Sequence, residues 1–372
     1  MRGRKGTIVF VAWRELRFAR GRFLLIAAVV ALITLLVGFL SGLAGGLANQ
    51  NVSGVLALPG DRLVLQQPEG GDPSYATSEL SEDTVRAWRH AEGVDAVTPI
   101  GIVQSRAAAG GTGDPVGVAL FGMPAQAPRD GASGPLPALT PHTATQVGLS
   151  SGAAETLGVG VGDQISITGQ TYTVATIGDD LWYSHTPVVA MTLDAWSAAS
   201  TRVGGTGEAT VLAVSGDADW SAVGHRTGTV AQTKLWSLTA LEAFTSEIGS
   251  LGLMIVLLFG ISALVVGAFF TVWTMQRAGD IATLKALGAG TASLVRDSLG
   301  QALVVLVAGI GVGLVAVVGF GTLAGRALPF LVSPLTTLAP AAALAVLGLA
   351  GAAFALRSVT KADPLTALGS NR

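Results

Sequence analysis

The placement of four apolar stretches constrains this chain more than any other feature. One lies near the N-terminus, from Phe23 to about Leu47, and three crowd the last third, from Ile248 to Met275, Leu294 to Leu323 and Leu338 to Leu356. Each consists mainly of Ala, Leu, Val, Ile, Gly and Phe, and each approaches the ~20 residues a helix needs to cross ~30 Å of hydrocarbon. A polar segment of roughly 200 residues separates the first stretch from the second. The expected fold class is therefore a membrane α-helical protein, with four transmembrane helices in a 1+3 arrangement and one mixed α/β extracellular domain. The expected divisions are a cytoplasmic segment at 1–22, spans at 23–48, 247–275, 294–324 and 338–357, an extracellular domain at 49–246, a cytoplasmic loop at 276–293, an extracellular loop at 325–337 and a cytoplasmic tail at 358–372.

The charges are sorted by region. The segment before Phe23 carries seven basic residues, among them Arg14, Arg17 and Arg20, against Glu15 alone. The loop after the second span and the tail are also basic near the membrane, whereas the segment from Asn49 to Glu247 holds 20 acidic and 8 basic residues. The positive-inside rule places both termini in the cytoplasm and the large segment outside a bacterial cell membrane. The first apolar run is too long for the core of a signal peptide, so it reads as a span rather than a cleaved leader. The chain has no cysteine, which excludes disulfides, thiol chemistry and Cys-ligated metal.

From Ile8 to Arg20 the pattern is amphipathic. Arg14, Arg17 and Arg20 share one face and Val9, Trp13 and Leu16 another, as in a helix lying on the cytoplasmic leaflet. A basic topology signal is the other reading. In the spans, Gly38-x-x-x-Gly42-x-x-x-Gly46, Gly309-x-x-x-Gly313 and Gly321-x-x-x-Gly325 offer close helix approach. That packing could fall within one chain or across a homodimer.

In the polar segment, strands are expected at 61–66, 94–103, 115–122 and 211–214, with a helix from Ser81 to His90 capped by Ser78 or Ser81. Ile165 and Ile167 alternate with polar residues, Gly169-Gln170 reads as a turn, and Tyr172, Val174 and Ile177 continue as a second strand. The Gly/Pro-rich stretches 110–114 and 124–137 read as loops.

Catalytic patterns are missing. There is no phosphate-loop lysine motif and no His-Glu-x-x-His, so neither that mode of ATP binding nor that metal chemistry is expected. No serine is placed as an activated nucleophile. His90, His142, His185 and His225 are scattered and read as surface or turn residues. The interiors of the spans lack the carboxylates, lysines and histidines that ion-coupled pathways use. Any work done by this chain is expected to draw on a partner.

The sequence QRAGDIATLKALGA at 276–289 resembles the cytoplasmic loop of FtsX/MacB-type ABC transporter permeases. Lys361-Ala-Asp-Pro-Leu-Thr-Ala-Leu resembles that family's C-terminal segment, and Gly162-Asp-Gln-Ile165 resembles part of the MacB-like external core. Gly279-Asp280 departs from the Arg-Glu found in many relatives. The resemblance implies a permease subunit rather than an enzyme, working as a homodimer in membrane lipid. A separate cytoplasmic ABC ATPase, itself a dimer, would hydrolyse the ATP. Nucleic acid is not an expected partner. Ile281, Leu284 and Leu287 or Gly288 recur at helical spacing, bordered by Arg277, Asp280 and Lys285. This helix would insert into a groove on the ATPase.

With one external domain, four spans and no fused ATPase, the chain is most similar to the HrtBA-type haem-efflux branch of the family. That resemblance implies haem as a transported substrate, with no permanently bound cofactor and no resident metal. An FtsX-like regulator that passes ATPase motion to an extracellular partner is the alternative. For haem, the candidate contacts are Glu242 and Glu247 at the start of the second span, Leu251 and Met254 on the helical face of Glu247, and Phe244 just before it. Trp236 reads as an interfacial anchor.

Overall fold

A computed structural model describes residues 20–110, 113–125, 134–276, 279 and 290–360. The expected amphipathic helix before Arg20, the residues expected to face an ATPase (Arg277, Asp280, Ile281, Leu284, Lys285, Leu287 and Gly288), and the C-terminal motif from Lys361 lie outside the described residues. The chain divides into two units, a helical unit (1–46 and 250–372) and an α/β unit (47–249).

The described part of the helical unit draws on four helices: α1 (Arg20–Leu56), α8 (Glu242–Gln276), α9 (Thr291–Ala324) and α10 (Pro334–Thr360). All four are long and apolar enough to cross a bilayer. Helices solve the solvation problem there, because lipid offers no partner for an exposed backbone amide. Ile26, Val30 and Val37 of α1 pack with Val266 and Phe270 of α8, Leu306 and Ile310 of α9, and Leu344 of α10. Thr34, Ser262 and Thr271 return their hydroxyl protons to the carbonyls of Val30, Leu258 and Gly267 on their own helices, at 2.8, 2.6 and 2.8 Å.

The glycine repeats are used inside this unit. A Cβ at Gly313 would lie 2.8 Å from the Ala31 carbonyl oxygen, and one at Gly309 would lie 2.8 Å from that of Ala27. At Gly46 the clash would be with the Pro329 carbonyl oxygen, at 1.8 Å. The intrachain reading of these motifs is thus observed, and the Leu331 N–H donates to the Gly42 carbonyl at 3.0 Å beside them.

The α/β unit is organised by one long strand. Its strands are β1 (Arg62–Gln66), β2 (Val94–Ala109), β3 (Val116–Met123), β4 (Gln146–Ser150), β5 (Gln164–Ile167), β6 (Gln170–Gly178), β7 (Trp182–Tyr183), β8 (Thr186–Thr192), β9 (Val211–Gly216) and β10 (Thr229–Thr233). Its shorter helices are α2 (Glu82–Arg89), α3 (Pro135–Leu139), α4 (Ser151–Leu157), α5 (Leu193–Arg202), α6 (Trp220–Thr227) and α7 (Lys234–Ser237). The first half of β2 joins an antiparallel sheet in the order β10-β1-β9-β2, with Trp88 of α2 and Val223 of α6 packed on Val64 and Leu212. The second half pairs with β3, and its last residues pair with β5. The pairings β2-β3-β8-β4-β6-β5-β2 therefore close a ring of six strands, with β3–β8 and β4–β6 parallel. Closure removes the exposed edges of this half.

Strands β3 and β8 are buried on both faces and serve two cores. Val118, Leu120, Val189 and Met191 point into one cluster with Ile165, Ile167 and Trp196. The alternate residues Ala119, Phe121, Val188 and Ala190 point into another with Val52, Val55 and Leu58. Period-two alternation thus sorts a single apolar run into two cores. Gly101 and Gly122 are cross-strand partners that make a slot for Trp196, where a Cβ on either would come within 2.1–2.3 Å of its atoms.

Several local expectations change. Strand β2 runs on to Ala109 because β3 and β5 continue its pairing. The hairpin turn is Thr168-Gly169, not Gly169-Gln170, since Ile167 pairs with Gln170. Pro135–Leu139 forms a short helix where a loop was expected, with Pro at its start and Leu136 and Leu139 buried. Ser81 is the N-cap of α2 and accepts the N–H of Thr84.

Candidate functional site

The candidate acids lie on the first turns of α8. Phe244 packs against the core that holds Val52 and Val55, and Glu247 follows one turn later. Within the α/β unit, Oε1 of Glu247 lies 2.7 Å from His185 Nε2, and Oε2 accepts a hydrogen bond from Asn51 Nδ2 at 2.8 Å. Asn51 Nδ2 is also 3.1 Å from His185 Nε2. The cluster joins α1, the β7–β8 turn and α8. His185 and Glu247 are each 34% exposed at the side chain, whereas Asn51 is fully buried. The Oδ1 of Asn51 has no hydrogen-bond partner. An orphaned buried acceptor costs about 1–3 kcal/mol.

The turn that presents His185 is itself unusual. Ser184 and His185 have φ of 44° and 63° and link β7 to β8 in a two-residue hairpin. Such turns favour Asn-Gly, because both central residues need positive φ. Here the left-handed pair is held from outside. The N–H groups of Ser184 and His185 donate to the carbonyls of Asn51 and Gln50 on α1, at 3.1 and 3.0 Å. The Trp182 N–H donates to Ser53 Oγ at 2.9 Å, and Gly54 lets α1 approach, since a Cβ there would lie 2.9 Å from the Trp182 carbonyl oxygen. Backbone strain that is over-determined by its surroundings is a marker of functional positions.

Glu242, five residues earlier on α8, has a different setting. It lines a cavity of about 270 Å³ together with Tyr75, Ile102, Gln104, Tyr183 and Leu241. Burial pushes the phenol pKa values of Tyr75 and Tyr183 well above the ordinary tyrosine value, and the Tyr75 hydroxyl bonds Ser237 Oγ at 3.0 Å. Both phenols are neutral at physiological pH and serve the cavity as hydroxyls. Leu251 and Met254 belong to the helical unit, Leu251 half-buried and Met254 exposed. Trp236 and its neighbour Leu235 are exposed on α7. Lys234 on the same turn donates to the Leu58 carbonyl, and burial lowers its pKa, partly offset by Asp61.

Sequence reasoning selected Glu242 and Glu247 but left His185 as a turn residue and passed over Asn51. His185 does sit in a turn, yet its ring engages Glu247. Against the expectation of no Gly-x-Ser-x-Gly spacing, the chain holds one at Gly148-Leu-Ser-Ser-Gly152, on the turn from β4 to α4. Ser150 is fully buried with φ −64°, and its Oγ accepts the N–H of Ala153 as a helix cap, so it is no nucleophile elbow. Among the described residues, no three His, Asp or Glu side chains converge.

Comparison with known proteins agrees with this architecture. Residues 23–228 match the MacB-like periplasmic core domain, and residues 252–364 match the FtsX-like permease C-terminal domain. The chain is 26% identical over 374 residues to a provisionally named hemin transport system permease protein HrtB of Staphylococcus haemolyticus, covering 96% of this chain and 99% of that protein. It is 24% identical over 367 residues to the HrtB protein of Staphylococcus epidermidis, provisionally named in the same way, covering 97% and 99%. An uncharacterized ABC transporter permease of Mycobacterium bovis is 25% identical over 381 residues, covering 97% and 99%. Among solved structures, the periplasmic region of MacB from Actinobacillus actinomycetemcomitans aligns with a TM-score of 0.33 at 10% identity, covering 49% of this chain and 92% of that one. The extracellular domain of the transporter YknZ from Gram-positive bacteria aligns with a TM-score of 0.31 at 12% identity, covering 46% and 98%. With a MacB-like core domain and an FtsX-like C-terminal domain in one chain beside four bilayer-length helices, this protein belongs to the FtsX/MacB-type permeases of ABC transporters.

Proposed function

We propose that this permease exports haem or a similar flat, amphipathic compound from the membrane. ATP-driven closure of a separate cytoplasmic ATPase dimer would power it, and motion would pass to the external domain of a permease homodimer. Both termini lie in the cytoplasm in this reading, and the α/β unit lies outside. The observation that carries it is the full-length similarity to proteins provisionally named hemin transport permeases. The setting of Glu247 adds chemical support. A carboxylate oriented by two donors keeps further lone pairs for ferric iron, and outer donors of this kind raise a ligand's affinity. Glu242 is the second substrate-facing carboxylate, with Phe244, Leu251 and Met254 as apolar neighbours along the same helix. Arg277, Asp280, Ile281, Leu284, Lys285, Leu287 and Gly288 form the ATPase-coupling segment.

A second reading, a non-transporting regulator, draws on the exposed Leu235–Trp236 pair, which would suit an extracellular protein partner. Two experiments test these proposals: the first separates them, and the second tests the ATPase coupling that both require. Haem titrated into the purified permease should shift the Soret band, with a weaker shift in Glu247→Ala and Glu242→Ala. No shift at saturating haem removes haem as substrate and leaves the permease assignment standing. Leu284→Asp should abolish co-purification of the ATPase without preventing membrane insertion, and intact co-purification removes the coupling role of that segment.

A further inference from the structure

The cluster of Asn51, His185 and Glu247 has the dimensions of a metal site. Its three side chains come from residues 134 and 62 positions apart, and their contacts of 2.7, 2.8 and 3.1 Å link His185 Nε2, Asn51 Nδ2 and both carboxylate oxygens of Glu247, Oε1 toward His185 and Oε2 toward Asn51. In an octahedral complex with metal–ligand bonds of about 2.0–2.2 Å, neighbouring donors stand about 2.8–3.1 Å apart. The donor types also fit. Imidazole and carboxylate are shared by most first-row divalent ions, and an amide oxygen is a neutral third donor.

The second observation is the orphaned Oδ1 of the fully buried Asn51. Rotating this amide by a half-turn would put Oδ1 where Nδ2 now stands, facing Nε2 of His185 and Oε2 of Glu247. With nothing between them, two oxygens would repel there. A cation held between the amide oxygen, His185 Nε2 and the Glu247 carboxylate reverses that preference and gives the oxygen its partner. His185 would then carry its proton on Nδ1 and offer the Nε2 lone pair. The partial exposure of His185 and Glu247 leaves room for waters to complete the coordination sphere.

We propose that Asn51, His185 and Glu247 form a binding site for an octahedral first-row divalent cation, which pins α1, the β7–β8 turn and the start of α8 together within the α/β unit. The site shares Glu247 with the proposed haem contact but does not require haem to be the transported substrate, and a metal titration without haem tests it separately.

The test uses full-length permease, stripped with chelator and freed of any histidine tag. Co2+ is titrated by calorimetry and followed by its visible d–d absorption, and Mn2+ is followed by electron paramagnetic resonance. Wild type should bind one ion per chain. Affinity should fall about tenfold or more in His185→Ala and in Glu247→Gln. Asn51→Asp makes the third donor anionic and should bind more tightly than wild type. Absence of saturable Co2+ binding to wild type overturns the site. So does binding that both His185→Ala and Glu247→Gln leave unchanged. If Asn51→Asp binds no tighter, the assignment of Asn51 as a donor fails. Tryptophan emission and elution volume check the folding of each variant, and His185→Ala alone suffices where Glu247→Gln does not fold.

Discussion

Glu247→Gln isolates the charge at the centre of the cluster, because it preserves shape and removes one acceptor. In the native protein each carboxylate oxygen has a donor, His185 Nε2 at 2.7 Å and Asn51 Nδ2 at 2.8 Å. A hydrogen bond to a charged group contributes about 1.5–3 kcal/mol, and a neutral one about 0.5–1.5 kcal/mol. Glutamine has one carbonyl oxygen. If it keeps His185, its amide nitrogen faces the Asn51 amide, donor against donor. One charge-assisted bond is then lost and the other falls to neutral strength, a gross loss of about 2.5–4.5 kcal/mol. Water at His185 and Glu247, each 34% exposed, and a half-turn of the Asn51 amide that would offer its free Oδ1 to the new N–H repair part of this, leaving about 1–2 kcal/mol. For a unit of roughly 200 residues each kcal/mol moves the midpoint by about 2–4 °C, so Tm should fall by about 2–8 °C. Differential scanning fluorimetry on metal-free protein measures it. His185→Ala should cost less in the Glu247→Gln background than in wild type, because the two share one interaction. A Tm within about 1 °C of wild type, or strictly additive effects, would refute the reasoning.

Two further outcomes follow from packing and burial. Gly46→Val should destabilise the helical unit by about 1–3 kcal/mol or more in a detergent thermostability assay, because a Cβ there meets the Pro329 carbonyl oxygen at 1.8 Å. Gly260→Ala, whose Cβ meets nothing within 4 Å, should not destabilise it. Stability should decline as pH rises above about 10, where unfolded tyrosine ionises while Tyr75 and Tyr183 hold their protons, with a limiting slope of about 1.4 kcal/mol per pH unit for each. Their contribution is complete below that pH. Lys234 acts in the opposite direction, because its lowered pKa makes stability rise with pH up to its unfolded value. Denaturant melts between pH 9 and about 11.5 check this, and the Tyr75→Phe, Tyr183→Phe pair should flatten the decline.

The features legible in advance are those with local causes. A bilayer-length apolar run has one inexpensive conformation in lipid, so the helices could be expected from composition alone. Ser81 caps α2 through the N–H of a residue three positions on, and the alternation of Ile165 and Ile167 shows in a few letters. Glu242 and Glu247 stand out at the start of α8 because acids are rare beside an apolar run. The family motif at 276–289 was equally plain as a string of residues.

Features made by distant pairing were not legible. The turn Ser184-His185 lacks the Asn-Gly signature, and its positive φ values are held by carbonyls of α1 more than 130 residues away in sequence. The slot for Trp196 exists only because Gly101 and Gly122 become cross-strand neighbours. The ring of strands closes only when the end of β2 meets β5, an event that no local pattern announces. Consecutive residues alone dictate four bilayer-length helices with an α/β segment after the first, because hydrophobic length and period are properties of neighbours along the chain. That Glu247 faces Asn51 and His185 follows from folding in three dimensions, because hydrogen bonds act over about 3 Å in space and take no account of separation along the chain.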